Sequence, residues 1–240
     1  MNQNIENQAI VALEELLQTM RTLRSPDGCE WDRQQDPDSL KKYILEEAYE
    51  LVHAIDTADP EEICEELGDL LLQIVFQAQI FEEMKLFGIA EVANSIDSKL
   101  KRRHPHIFAD ADPSSREEDW NRIKREERTE KGKSLTLASC IPQALPALKR
   151  AEKLAGCLAR DTKTSAHPLS AMRKITGYLA ELGQTTEPSQ STERQIGNIL
   201  YQMTVLARCL DIDAEEALRT TVEQRIKYHD KSCPGQTDVS

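Results

Sequence analysis

Residues 60–84 read PEEICEELGDLLLQIVFQAQIFEEM, and this stretch decides the fold class. Its apolar residues recur every three or four positions, which is the period of one face of an α-helix. They are Ile63, Leu67, Leu70, Leu71, Ile74, Val75, Ala78 and Phe81. Proline at the first helical position and two glutamates after it, where the helix dipole is positive, predict a start at Pro60. We therefore predict one long helix over 60–84, with Gly88 in the turn that follows it.

The same spacing continues on both sides of this helix. It predicts helices over 7–23, 40–57 and 91–103 before residue 109, and over 144–159, 170–182, 193–210 and 214–228 after residue 139. Glycine is scarce, with 9 residues, and aromatic residues make up only 5% of the chain. Leucine, alanine, glutamate, glutamine and lysine are abundant, and these residues favour helices. Periodicity and composition together predict an all-α protein.

Charge and hydropathy exclude several classes of protein. The 240 residues include 30 Lys+Arg and 42 Asp+Glu, a net charge of −12, so the surface repels polyanions and a nucleic-acid partner is not expected. Glutamines interrupt the longest apolar stretch well short of the roughly 18 residues of a membrane span. The N-terminus, MNQNIENQAI, has neither the basic region nor the apolar core of a signal peptide. Six cysteines without C-x-x-C spacing indicate free thiols. We expect a cytoplasmic protein without a membrane partner.

A charged, weakly apolar segment divides the predicted helices into two sets. We predict an N-terminal repeat over 1–108, a linker with a short helix over 109–139, a second repeat over 140–232 and a flexible tail over 233–240. The helix order of the first set recurs in the second, which is the pattern of an internal repeat.

Aligning two short segments brings the two halves into register. EELGDLL at 65–71 lies over RQIGNIL at 194–200, so that the glycines and the apolar positions coincide. The sequence therefore predicts two diverged copies of one helical unit.

Two pairs of acidic residues lie on adjacent predicted helices. Glu47 and Glu50 are three residues apart, as are Glu66 and Asp69, so each pair projects from one helix face. Either pair alone is typical of a solvated helix face. Both pairs lie among apolar residues, however, and packing of those apolar faces would bring all four carboxylates together. Partly buried like charges require a neutralising cation, and carboxylate oxygens favour Mg²⁺ or Mn²⁺. The two pairs together predict a metal site.

These carboxylates belong to a larger set of segments that resembles a known family. The set comprises GCEWD at 28–32, EEAYE at 46–50, EELGD at 65–69, KLKRRHPHIF at 99–108, WNRIK at 120–124 and IPQALPAL at 141–148. Together they resemble the MazG nucleoside triphosphate pyrophosphohydrolases over nearly the whole chain. The resemblance implies an all-α fold of two diverged helical-bundle repeats and an intertwined homodimer. It also implies hydrolysis of nucleoside triphosphates to nucleoside monophosphate and pyrophosphate with Mg²⁺, or with Mn²⁺ in its place.

The resemblance also implies roles for the acidic residues. Glu47, Glu50, Glu66 and Asp69 correspond to the metal ligands. Attack of water on the α-phosphorus needs cations on the triphosphate and a carboxylate that orients or deprotonates the water. Glu46, the remaining carboxylate of the EEAYE segment, is our candidate for that catalytic role.

Basic and aromatic residues further along the chain are candidates for substrate binding. Lys99, Arg102 and Arg103 are suited to donate hydrogen bonds to phosphate oxygens, although cations also stabilise a helix C-terminus without any ligand. Trp120 and Lys124 match the W-x-x-x-K element of the family. Stacking of the indole on a nucleobase and packing within the linker are both open for Trp120.

The second repeat lacks the acidic set. The positions of Glu47, Glu50, Glu66 and Asp69 are taken there by Tyr178, Glu181, Gln195 and Asn198. Because neutral amides are poor Mg²⁺ ligands, we expect the second repeat to be structural or dimerising, without a metal site. Two functions remain: a pyrophosphohydrolase working from the N-terminal repeat, or a non-catalytic nucleotide-binding or scaffolding helical dimer. The intact acidic set of the first repeat favours the enzyme.

Overall fold

The computed structural model describes residues 2–109 and 141–232, except 163–166 and 184–187, together with residues 122–123, 126–127, 129 and 136–137. Within these ranges the regular structure is helical and no strand occurs, which confirms the predicted all-α class. The chain divides into two compact units, residues 1–124 and residues 125–240. Among the helices of the described ranges, none combines the length and the apolar character that crossing a membrane requires.

Six helices lie within residues 2–108 of the first unit. They are α1 (Asn2–Leu23), α2 (Glu30–Gln34), α3 (Lys41–Thr57), α4 (Pro60–Glu83), α5 (Ile89–Arg103) and α6 (Pro105–Phe108). The predicted long helix is confirmed as α4, which packs against α1, α3 and α5. It begins at Pro60 because the Asp59 carboxylate accepts the backbone N–H of Glu61 at 2.9 Å and so caps the first turn.

The apolar core of this unit lies around the second half of α4. Its buried members are Met20, Leu40, Val75, Phe76 and Ile80. Leu16, Leu17, Tyr43, Leu72 and Ile89 are partly buried against them. The core therefore joins α1, the start of α3 and the start of α5 to α4, while the predicted acidic residues of α4 precede it along the helix.

The segment between α1 and α3 differs from its prediction in two ways. The short helix α2 was not expected, because five residues are too few to show a helical period. Asp38 and Ser39 are of residue types that favour the N-cap position, but neither of them caps the next helix. The N-cap residue of α3 is Leu40, without a side-chain hydrogen bond, and the Asp36 carboxylate instead accepts the backbone N–H groups of Asp38 and Ser39. This acidic side chain thus stabilises the turn that precedes the helix.

Arg24 fastens this segment to α4. Its side chain is 7% exposed and donates two hydrogen bonds to the Glu83 carboxylate, at 2.8 and 2.7 Å. The same guanidinium donates to the backbone carbonyls of Asp32 and Gln35 and lies 5.4 Å from the centre of the Phe76 ring. One side chain therefore holds α2 and its flanking turns against the C-terminal half of α4.

The Arg24–Glu83 pair predicts a pH-dependent contribution to stability. The hydrogen bonds from Arg24 lower the pKa of Glu83. A lowered carboxyl pKa adds stability that is present above the ordinary pKa and is lost as the pH falls through the lowered one. We expect Glu83→Gln to lower the free energy of unfolding by about 1 kcal/mol at pH 7, because the carboxylate is partly exposed. The difference in the free energy of unfolding between the variant and wild type should become smaller below pH 4.5. Urea unfolding at pH 7 and at a pH below 4.5 measures it. A difference independent of pH would contradict this assignment.

Four helices lie within residues 147–232 of the second unit. They are α7 (Ala147–Thr162), α8 (Pro168–Leu182), α9 (Gln190–Cys209) and α10 (Ala214–Ser232). The central helix is α9, which packs against α7, α8 and α10. An ion pair between Lys149 and Asp213 connects α7 to the start of α10, where the Asp213 carboxylate also accepts the backbone N–H of Glu215. The predicted order of four helices in this half is confirmed.

The central helices of the two units resemble each other in detail. From 63–75 in α4 and from 192–204 in α9, every aligned pair of residues has the same class of burial. Each helix is followed by a turn with one left-handed residue, Lys85 at φ 59° and Asp211 at φ 57°. The α9 helix is, however, three residues shorter between its glycine and this turn. The likeness is therefore closest over the part of α4 that carries the acidic residues.

Candidate metal centre

Three carboxylates converge between α3 and α4. The two helices are joined only by Ala58 and Asp59 and pack against each other as an antiparallel hairpin. Glu47 on α3 faces Glu66 and Asp69, which lie one turn apart on α4. One carboxylate oxygen from each of the three lies within 4.8 Å of the other two, and all three residues are half-buried.

The other two predicted acidic residues lie at the edge of this group. Glu50 is exposed and hydrogen-bonds the Glu47 carboxyl, and its charge also acts on Glu66. Glu46 is exposed on α3 and acts on Glu47 through its charge alone. The structure thus brings Glu47, Glu66 and Asp69 together and places Glu50 and Glu46 beside them.

The acidic group is electrostatically unfavourable without a cation. Burial raises the pKa of Glu47, and the hydrogen bond with Glu50 and the charges of Asp69, Glu50 and Glu46 raise it further. Burial also raises the pKa of Glu66, followed by the charges of Glu50 and Asp69. Both shifts oppose the ionised form of these carboxyl groups, and a positive charge among them would relieve that cost.

Glu66 gives a further indication that the group suits a positively charged partner. Its Oε2 atom is buried and has no hydrogen-bond partner. Burying a charged oxygen without a partner is costly, and native structures rarely do so without a role for the atom. An unpartnered oxygen on one of three converging carboxylates fits a hard divalent cation, which prefers oxygen ligands. Glu47, Glu66 and Asp69 are therefore residues that could hold such an ion, and Glu50 lies beside them.

The predicted phosphate-binding residues lie on the last turns of α5. Lys99 and Arg103 are half-buried and Arg102 is exposed. The helix α5 follows α4 after a short turn and packs against it. Trp120 and Lys124, the other predicted substrate-binding residues, lie outside the described residues.

The corresponding hairpin of the second unit holds a neutral version of the same arrangement. On α8 and α9, Gln195 donates a hydrogen bond from Nε2 to the Glu181 carboxylate at 3.3 Å. Glu50 and Glu66 occupy the aligned positions in the first unit and can only repel each other when ionised. Tyr178 and Asn198 are half-buried. Within the described ranges, no group of three converging carboxylates occurs on this hairpin.

Gln73 is a polar residue whose position the sequence reasoning missed. Its side chain is 6% exposed, one helical turn after Asp69, and its Oε1 atom is buried without a hydrogen-bond partner. We treated it only as an interruption of an apolar run. The repeat contains a usable signal, because the aligned residue of the second unit is also glutamine, Gln202, and is also buried.

The helical architecture and the acidic group define a class: an all-α protein with a carboxylate site for a divalent cation between two antiparallel helices. Residues 35–108 match the family model of the MazG nucleotide pyrophosphohydrolase domain. The chain is 39% identical to the nucleoside triphosphate pyrophosphohydrolase/pyrophosphatase MazG of Thermotoga maritima, over 93% of this chain and 86% of that protein. It is 36% identical to the nucleoside triphosphate pyrophosphohydrolase of Escherichia coli K12, over 88% of this chain and 83% of that protein. This chain belongs to the MazG family.

Proposed function

We propose that the first unit hydrolyses nucleoside triphosphates to nucleoside monophosphate and pyrophosphate with Mg²⁺, which Mn²⁺ can replace. The observation that carries this proposal is the convergence of the Glu47, Glu66 and Asp69 carboxylates, one of which has a buried oxygen without a hydrogen-bond partner. The names of the similar Thermotoga maritima and Escherichia coli proteins support the reaction and the substrate class.

In this reaction the oxygen of a water molecule forms a bond to the α-phosphorus. The bond between that phosphorus and the oxygen leading to the β-phosphorus breaks, and pyrophosphate leaves. A divalent cation, when bound, supplies positive charge that stabilises the charge developing on the phosphate oxygens. The cation would be held by the carboxylates of Glu47, Glu50, Glu66 and Asp69. The proton released by the water passes to a carboxylate, and we assign this role to Glu46 because it is exposed beside the group.

Basic residues complete the binding of the triphosphate. Lys99, Arg102 and Arg103 lie on the last turns of α5, a helix that packs against α4, and we assign them to the phosphate oxygens. Trp120 and Lys124 are assigned to the nucleotide on the family's W-x-x-x-K pattern alone.

We assign the second repeat, residues 140–232, a structural and dimerising role in a cytoplasmic homodimer with intertwined helices. Both hairpins expose large apolar side chains, which monomeric proteins rarely do over a continuous surface. In the first unit they include Leu45, Tyr49, Ile55, Leu67 and Ile74, and in the second Leu179, Ile196, Leu200 and Met203. Such surfaces support burial against a second copy of the chain. The same apolar surfaces also suit the alternative function, a non-catalytic nucleotide-binding or scaffolding dimer. Such a dimer, however, does not need the acidic group.

The proposed site can be tested with a matched pair of variants. Pyrophosphate release is measured for a panel of nucleoside triphosphates, with Mg²⁺ and with a chelator. We expect release only with the cation, and we expect Glu50→Gln to reduce it at least about tenfold because a ligand charge is lost. Glu181→Gln changes the aligned residue of the second unit and should leave the rate unchanged. Release that needs no cation, or equal effects of the two substitutions, would contradict the proposal.

A further inference from the structure

Trp31 presents a large aromatic surface beside the acidic hairpin. It lies on α2 and is 50% exposed. Its ring contacts the Tyr43 ring in an edge-to-face manner, with centroids 6.1 Å apart and an interplanar angle of 65°. The Lys42 ammonium lies 4.5 Å from the centre of the Tyr43 ring and so covers one face of it. The exposed aromatic surface of this pair is therefore chiefly the indole.

The backbone around Trp31 is held in place although its ring is exposed. The Trp31 carbonyl accepts a hydrogen bond from Gln35 Nε2 at 3.0 Å. Arg24 donates to the carbonyls of Asp32 and Gln35, on the same short segment, and is itself fixed by Glu83. A ring carried on a fixed backbone loses less conformational freedom when it binds a flat ligand than a ring on a mobile segment does, which favours affinity.

The position of the pair relates it directly to the metal centre. Tyr43 and Glu47 are four residues apart on α3, so they lie on one face of the helix, about 6 Å apart along its axis. The indole contacts the Tyr43 ring and so lies next to this row of side chains. If the phosphates of a nucleotide bind at the acidic group, the ribose and the base can extend along this row of side chains.

The charges next to Trp31 indicate which part of a nucleotide fits there. Glu30 and Asp32 flank it on α2 and repel phosphate groups. A neutral, planar group is compatible with these charges and gains from contact with the indole. Stacking on an aromatic side chain is available to every nucleobase, because each base has a π-face.

We propose that Trp31 is the residue on which the nucleobase of the substrate stacks. This inference rests on the proposed function of the acidic hairpin. It assigns stacking of the base to the described segment between α1 and α3, so the contact of Trp120 with the nucleotide is assigned to a part other than the base. Because stacking involves no hydrogen-bond recognition, it predicts broad tolerance among purine and pyrimidine triphosphates at this contact.

Fluorescence gives a direct test, since the chain contains two tryptophans. Trp120→Phe leaves Trp31 as the one indole, and Trp31→Phe leaves Trp120. With Mg²⁺ present, we expect a non-hydrolysable nucleoside triphosphate analogue to quench the fluorescence of the first variant and not of the second. Inorganic tripolyphosphate has no base and should bind competitively without this quenching. Quenching confined to the variant that retains Trp120 would overturn the proposal.

Kinetics separates base contact from a structural role. We expect Trp31→Ala to raise KM for nucleoside triphosphates about tenfold with little change in kcat, and Trp31→Phe to restore most of the loss. The inhibition constant of tripolyphosphate should be the same in wild type and Trp31→Ala. An equal loss for both compounds, or no change in KM, would show that Trp31 does not contact the base. Absence of cation-dependent binding of either compound by wild type would instead refute the proposed function itself.

Discussion

Asp69→Asn is expected to reduce Mg²⁺-dependent pyrophosphate release at least about 100-fold. Groups that only position a metal ligand contribute about 10–100-fold, so loss of a ligand's own charge should reach at least the upper end of that range. The substitution keeps the size of the side chain, and Asn198 shows that the aligned position of the second unit accommodates an amide. The helices should therefore remain folded, as circular dichroism will show.

The same variant should respond differently to the cation in thermal unfolding. Removing one of the converging charges relieves repulsion on Glu47 and Glu66, whose pKa values Asp69 raises in the wild type. The melting temperature without cation should therefore stay level or rise. Wild type should gain stability on addition of Mg²⁺, and the variant should lose most of that gain. Asn198→Asp, on the other hairpin, should change neither property. Full activity of Asp69→Asn would refute the proposed centre.

The isolated second unit, residues 125–240, is expected to release no pyrophosphate at any Mg²⁺ concentration at which the full chain is active. Its hairpin offers Glu181 with neutral Tyr178, Gln195 and Asn198 around it. Because dehydration of Mg²⁺ is costly, a single carboxylate does not bind the ion stably. The first unit, residues 1–124, should retain cation-dependent release where it remains soluble.

Thermal unfolding provides an independent measurement on the same fragment. Mg²⁺ should leave the melting temperature of residues 125–240 unchanged, because an ion that does not bind the folded state cannot stabilise it. The fragment should first show helical circular dichroism, so that absence of activity is not absence of folding. Cation-dependent pyrophosphate release by this fragment would show that the catalytic repeat is the other one.

The long helices could be predicted because their information is local. A three-to-four-residue apolar period together with Pro60 and Asp59 was enough to place α4 within one residue of its observed end. The segment between α1 and α3 could not be placed in this way. Its conformation depends on Arg24, whose main partner is Glu83 on a distant helix, and local sequence patterns carry no information on such a contact.

The acidic site shows the same division between local and long-range information. Spacing alone predicted that Glu66 and Asp69 share a helix face and that Glu47 and Glu50 share another. The register between α3 and α4 decides that Glu47 lies within the group of three and Glu50 beside it, and this register is a tertiary property. The unpartnered oxygens of Glu66 and Gln73 likewise become apparent only once burial is known.

The contacts of Arg24 suggest how homologues with the same loop can be identified from their sequences. Its guanidinium meets one carboxylate and two carbonyls at once, which requires several donors fixed in a plane, and lysine cannot supply this geometry. The loop that presents Trp31 therefore depends on two residues 59 positions apart in the chain. Among homologues, positions 24 and 83 should therefore either both keep the Arg–Glu pair or both change. A homologue that keeps the pair should also keep the conformation of this loop, even where the residues of the loop differ.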